Sequence, residues 1–128
     1  MNVLVVDDEY YDLIKLEKFV NKVFSECNTY KFINSLEAFE FAKNAKIDLA
    51  FLDITIPFMN GIELARKLKN MNNDIAICFV SGYDKHKIEE IHHLGYIEKP
   101  FDLTDVKNIY EKYIHYRGWF YEDYYNWR

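Results

Sequence analysis

Two cysteines in 128 residues are too few for the disulfide framework that holds small secreted domains together. Cys78 lies inside the apolar run Ile75 to Val80, where a reduced core thiol is the expected state. That run is also the longest unbroken apolar stretch of the chain, far short of the roughly 20 residues a membrane-spanning helix requires. No helix is expected to cross a bilayer. No signal peptide is expected either: Met1-Asn2-Val3-Leu4-Val5-Val6 leads directly into Asp7-Asp8-Glu9, with neither a basic start nor a long apolar stretch. The chain therefore reads as cytoplasmic. Positive charge is scarce, with 16 Lys and Arg against 21 Asp and Glu and a formal charge of −5, which opposes attachment to nucleic-acid phosphates or anionic lipid. No repeat, low-complexity tract or interdomain linker breaks the chain. Its length and 50% hydrophobic content predict one compact domain.

The apolar residues alternate between two kinds of pattern. Val3 to Val6 is a short β-branched run, the mark of a strand covered on both faces in a parallel sheet. From Asp12 onward, Leu13, Leu16, Phe19, Val20 and Val23 follow the period of one helical face. Tyr30 to Ile33 predicts a weaker second strand, and Ser35 a helix N-cap ahead of Leu36, Phe39 and Ala42. Leu49 to Leu52 predicts the third strand, ending on Asp53. Pro57 and Gly61 bracket a loop before a third helix through Ile62, Leu64, Ala65, Leu68 and Met71. Ile75 to Val80 predicts the fourth strand, ending at Ser81-Gly82. Ile88, Ile91 and Leu94 predict a short fourth helix, and Tyr96-Ile97 a fifth strand stopped by Lys99-Pro100. Asp102 caps a final helix carrying Leu103, Val106, Ile109, Tyr110 and Tyr113. Five βα units with short connections predict an α/β fold with an open, doubly wound parallel sheet.

In such sheets ligands gather beyond the carboxyl ends of the strands. The polar residues there are Asp7 and Asp8, Asp53, Ser81 and Lys99. Several carboxylates held close together resist ionising unless a cation sits among them. Magnesium suits such a pocket, because it takes oxygen ligands, needs only a couple of carboxylates, and leaves coordination positions for phosphate oxygens. A carboxylate can itself accept a phosphoryl group, with a metal and a lysine balancing the charge. Asp53 is the candidate acceptor.

Four segments in order, Asp7-Asp8, Leu52-Asp53-Ile54-Thr55-Ile56-Pro57-Phe58-Met59-Asn60-Gly61, Phe79-Val80-Ser81-Gly82 and Tyr96-Ile97-Glu98-Lys99-Pro100-Phe101, resemble the receiver domains of two-component response regulators. The resemblance covers residues 2 to about 116. It implies a flavodoxin-like (βα)5 fold with strand order 2-1-3-4-5, a receiver domain over residues 1–117, and an aromatic tail over 118–128. It further implies Mg²⁺ held by Asp8 directly, by Asp7 mostly through water, by an Asp53 oxygen and by the Thr55 main-chain carbonyl. Ser81 would donate to a phosphoryl oxygen, Lys99 would pair with the phosphoryl group, Tyr96 would be the switch aromatic, and the Lys99–Pro100 bond would be cis. The partners implied are a sensor histidine kinase or phosphotransfer protein, and a downstream protein or second copy meeting the fourth helix, fifth strand, fifth helix and tail. Two other functions stay open: an Mg²⁺-dependent phosphatase working through an aspartyl phosphate, and a phosphorylation-independent adaptor. The first would ordinarily carry a general acid two residues after the nucleophile, where this chain has Thr55.

The stretch from Ser81 to Lys99 is about one helical turn shorter than is usual in that family, so its helix is expected to be short or irregular. The resemblance also implies that the side chains two residues after the acceptor and two after the switch hydroxyl, Thr55 and Tyr83, border the path of an attacking water; neither is an acid or amide suited to orienting it and Tyr83 is bulky enough to cover the site, which predicts slow self-dephosphorylation. His92 and His93 are adjacent, a poor arrangement for sharing a metal on a helix, and no chemistry is assigned to them, to His86 or to His115. Beyond Gly118, Trp119, Phe120, Tyr121, Tyr124, Tyr125 and Trp127 predict an interaction surface rather than a solvated tail.

Overall fold

The computed structural model describes residues 1–82 and 88–118. In chain order these form β1 (Asn2–Val6), α1 (Tyr10–Val23), β2 (Asn28–Phe32), α2 (Ser35–Ala42), β3 (Leu49–Asp53), α3 (Gly61–Met71), β4 (Ala76–Ser81), a 3-10 turn (Ile88–Glu90), β5 (Gly95–Glu98) and α4 (Leu103–Tyr116). The strands make one parallel sheet in the order β2-β1-β3-β4-β5. Successive residues of a strand point to opposite faces, and here both faces are covered. Leu4, Val6, Ala50, Leu52, Ile77 and Phe79 pack with Ala38 of α2 and Leu64, Ala65 and Leu68 of α3. Val3, Val5, Leu49, Phe51, Cys78 and Val80 pack on the other side with Leu13, Leu16 and Val20 of α1 and Val106, Ile109 and Tyr113 of α4. This double burial is why the central strands carry unbroken apolar runs. Cys78 is fully buried, and burial pushes its thiol pKa up, so it stays protonated core.

Four local expectations need correction. β2 runs over Asn28–Phe32 rather than Tyr30–Ile33, because an edge strand pairs through its backbone with β1 and tolerates Asn28 and Thr29 in the ladder; Ile33 is left exposed. β4 is Ala76–Ser81, starting one residue later than its apolar run, and Ser81 closes it as expected. The N-cap of α2 is Asn34, whose side chain accepts from the Leu36 and Glu37 amides. Ser35, the expected cap, is fully buried one residue inside. The fourth helix is, among the described residues, a single 3-10 turn. Ile88 and Ile91 are buried as their spacing suggests and the turn is short, as the shortened stretch from Ser81 to Lys99 implied, but Leu94 is not part of it: its amide donates to the Ile77 carbonyl at 2.7 Å and leads into β5. The expected fifth helix is therefore α4, and Asp102 and Asp105 cap it reciprocally. Tyr113 is buried and Tyr110 packs edge-on to Phe24, both core-facing.

Candidate functional site

The carboxyl ends of β1, β3, β4 and β5 meet at one edge of the sheet. β1 hands over to Asp7, which is 1% exposed. Its main-chain amide donates to the Phe32 carbonyl of β2, and its Oδ1 accepts from the Glu9 amide at 2.9 Å. Asp53 is the last residue of β3, and its Oδ1 accepts from the Thr55 amide at 3.0 Å, bending the chain out of the sheet. Gly61 closes that loop. A Cβ there would lie 2.1 Å from the Asp53 carbonyl oxygen, so only glycine lets α3 start this close to the end of β3. Between them, Phe58 has a positive φ of 70° and is exposed, while Met59 turns back into the core.

Ser35 braces this loop from α2. Its hydroxyl donates to the Pro57 carbonyl at 3.2 Å and accepts from the Met59 amide at 3.3 Å. This role has no local signal, since the partners lie more than twenty residues away.

Lys99 reaches the carboxylates from the end of β5. Its Nζ is 2.9 Å from Asp53 Oδ2, to which it donates a hydrogen bond, 2.8 Å from Asp7 Oδ2 and 3.1 Å from Asp12 Oδ2. The approach to Asp7 Oδ2 lies outside ordinary hydrogen-bond directions, and that buried oxygen has no hydrogen bond at all. The contact is one of charge. Burial alone would lower the Lys99 pKa, but the contacts with and charges of Asp7 and Asp53 outweigh it, so the ammonium is held above the ordinary lysine range. Burial pushes Asp7 up from 3.8 to about 7; the Lys99 contact and the Glu9 amide oppose the rise, and the Asp53 charge adds to it. Asp12, in the first turn of α1, was not among the expected site residues. An acid in that position is ordinarily explained by the helix dipole, and nothing in the local pattern distinguishes it.

Asp7, Asp8 and Asp53 each offer a carboxylate oxygen, and these oxygens lie within 4.8 Å of one another. Together with the orphaned Asp7 Oδ2, this donor set fits a hard, oxygen-seeking divalent cation. Asp8 and the Thr55 side of the loop are exposed and open to solvent.

Ser81 is 1% exposed. Its main-chain carbonyl accepts from both the Lys99 amide and the Tyr96 hydroxyl, each at 3.0 Å. One backbone oxygen thus ties the hydroxyl residue, the lysine and the expected switch aromatic together. The Lys99–Pro100 peptide is cis, as the resemblance implied. His93 Nδ1 lies 2.7 Å from the Ile91 carbonyl, and the His92 ring sits tilted beside that of Tyr116, with centroids 6.4 Å apart. Tyr83, His86 and the tail from Trp119 lie outside the described residues.

Residues 3–111 match the sequence model of the response regulator receiver domain. The chain is 31% identical over 116 residues to the sporulation initiation phosphotransferase F of Bacillus subtilis, spanning 88% of this chain and 92% of that protein. It is 32% identical over 115 residues to the sensory transduction protein LytT of the same organism, again over 88% of this chain but only 48% of the relative. It thus spans nearly all of the first relative and about half of the second. Among solved structures, a CheY-like receiver domain from Methanospirillum hungatei superimposes with a TM-score of 0.81, at 24% identity, over 91% of this chain and 96% of that one.

Proposed function

The chain belongs to the response regulator receiver domain family, and from that premise we propose that it is a phosphorylation-controlled switch whose acceptor is Asp53. The observation that carries this reading is the placement of the Lys99 ammonium 2.9 Å from Asp53 Oδ2, beside a cluster of three carboxylates at the open edge of the sheet. A carboxylate oxygen of Asp53 attacks phosphorus, a P–O bond forms, and the bond to the donor's imidazole nitrogen or acyl oxygen breaks. The donor is a sensor histidine kinase, a phosphotransfer protein or a small phosphodonor. Lys99 neutralises phosphoryl oxygens, and the Ser81 hydroxyl donates to one of them. Asp7, Asp8, Asp53 and the Thr55 main-chain carbonyl are the residues that would hold Mg²⁺, which when bound supplies positive charge against those oxygens. Tyr96 is the switch aromatic: its hydroxyl already shares the Ser81 carbonyl with the Lys99 amide, so a displacement of Ser81 toward a phosphoryl group moves it.

The output surface in this reading is β5, α4, the 3-10 turn before β5 and the tail over 118–128, facing a downstream protein or a second copy. With a formal charge of −5, direct binding to nucleic acid is not proposed, nor is membrane attachment; among the described residues no helix is long and apolar enough to cross a membrane. A cytoplasmic setting, where kinases and their phosphodonors operate, suits this role. The phosphatase alternative has no acid at Thr55 to protonate a leaving group.

Incubation with acetyl phosphate and Mg²⁺ followed by intact-mass measurement tests the proposal. One added phosphoryl group, absent in Asp53→Asn, is the expected outcome. An unmodified wild-type chain would leave the adaptor reading in its place.

A further inference from the structure

Asp12 is a carboxylate of the site to which neither the resemblance nor the metal cluster gives a role. Its Oδ2 stands 3.1 Å from Lys99 Nζ, with the Asp12 side chain 22% and the Lys99 side chain 15% exposed. It is not one of the three acids whose oxygens converge within 4.8 Å. Asp12 therefore touches the cation that serves the phosphoryl group without lining the pocket that suits a divalent ion. We propose that Asp12 is a positioning residue that restrains Lys99 and so opposes phosphorylation of Asp53. This inference rests on the receiver reading above.

Several carboxylates share the one ammonium. An ammonium has three N–H groups, and three carboxylates, those of Asp7, Asp12 and Asp53, already face this one. Phosphorylation replaces the single charge of Asp53 with a group carrying about two. Its oxygens must draw on the same ammonium that Asp12 holds, and the Asp12 charge repels them. In a partly buried position that repulsion is only weakly screened by salt. For a divalent cation the sign reverses, since a nearby carboxylate attracts it. Asp12 thus pulls the two ligands of the site in opposite directions, and a residue with a merely structural role would not do so.

The test measures both affinities on the full chain. Beryllofluoride, which binds a carboxylate as a mimic of the phosphoryl group, is titrated at saturating Mg²⁺ and followed by ¹⁹F NMR; Mg²⁺ alone is titrated by calorimetry. Asp12→Asn should tighten beryllofluoride binding roughly three- to ten-fold, the span expected when groups in contact are uncoupled. It should weaken Mg²⁺ binding about two-fold or more. Asp12→Glu keeps the charge and should restore both values toward wild type. Unchanged or weaker beryllofluoride binding in Asp12→Asn refutes the inference, as does Asp12→Glu behaving like Asp12→Asn. A wild-type chain that binds no beryllofluoride instead overturns the receiver reading, and this inference with it.

Discussion

Neutralising Asp7 should stabilise the cation-free domain, even though Asp7 is a site residue. The side chain is almost completely buried, and its Oδ2 meets only the Lys99 ammonium, without a hydrogen bond. Burial, the largest influence, raises its pKa from 3.8 to about 7. An acid whose pKa is raised on folding holds its proton more tightly in the native than in the unfolded chain. Its contribution is therefore neutral below pH 3.8, grows more unfavourable as pH climbs toward 7, and is fully unfavourable above that. With one pKa unit worth about 1.4 kcal/mol, the cost at pH 8 has an upper bound on the order of 4 kcal/mol. Asp7→Asn keeps an acceptor for the Glu9 amide but turns an NH2 group toward the ammonium, which returns part of the gain.

The expected net effect is a variant more stable than wild type by about 2 kcal/mol at pH 8, with the difference shrinking toward zero near pH 4. Urea unfolding followed by circular dichroism, in chelator, at a series of pH values between 4 and 8 measures it. Mg²⁺ should narrow or reverse the gap, since a ligand stabilises only the form that binds it. A variant less stable than wild type at pH 8, or a difference that does not change with pH, would refute the electrostatic account of Asp7.

Lys99→Ala should still melt cooperatively, about 3 kcal/mol less stable than wild type at pH 8 because Asp7 and Asp53 lose their counter-charge, while phosphoryl uptake measured by intact mass falls at least about tenfold. A large stability loss with normal uptake would contradict its placement as a site residue. Ser35→Ala should cost about 2 kcal/mol in urea unfolding, since the Pro57 carbonyl and the Met59 amide both lose a partner; a loss below about 0.5 kcal/mol would show that the loop does not depend on this brace. For Gly61→Ala, whose new Cβ would fall 2.1 Å from the Asp53 carbonyl oxygen, a loss of about 3 kcal/mol or more is expected, and wild-type stability would mean α3 can shift away freely. Tyr83→Ala should lose the phosphoryl group faster than wild type; equal decay would remove Tyr83 as a shield.

What the sequence made legible follows from how a doubly covered sheet is built. A central parallel strand buried on both faces must be apolar throughout, so Asp7 and Asp53 stand out where such runs stop, while Lys99 follows the short edge strand β5 and stands out by the proline after it; the fold carries these stops to one edge. The edge strand β2 lacks that requirement, and its start was misplaced for that reason. Helical spacing correctly marked Ile88 and Ile91 as buried. Burial, however, says nothing about whether a segment has the length to close successive turns, and the Leu94 amide had already been claimed by Ile77.

Ser35 and Asp12 escaped for a different reason. A serine or an acid at the start of a helix has a sufficient local explanation in capping or in the dipole, so the local reading gives no cause to look further. Their actual partners belong to other loops: Pro57 and Met59 for Ser35, Lys99 for Asp12. Both therefore act between βα units rather than within one. Asp7, by contrast, is explained poorly by any local role, because a buried carboxylate with an oxygen that makes no hydrogen bond and a pKa raised to about 7 despite its Lys99 contact weakens the fold that contains it. A residue that costs stability where it stands marks a site by physics alone, and that cost is what Asp7→Asn should recover.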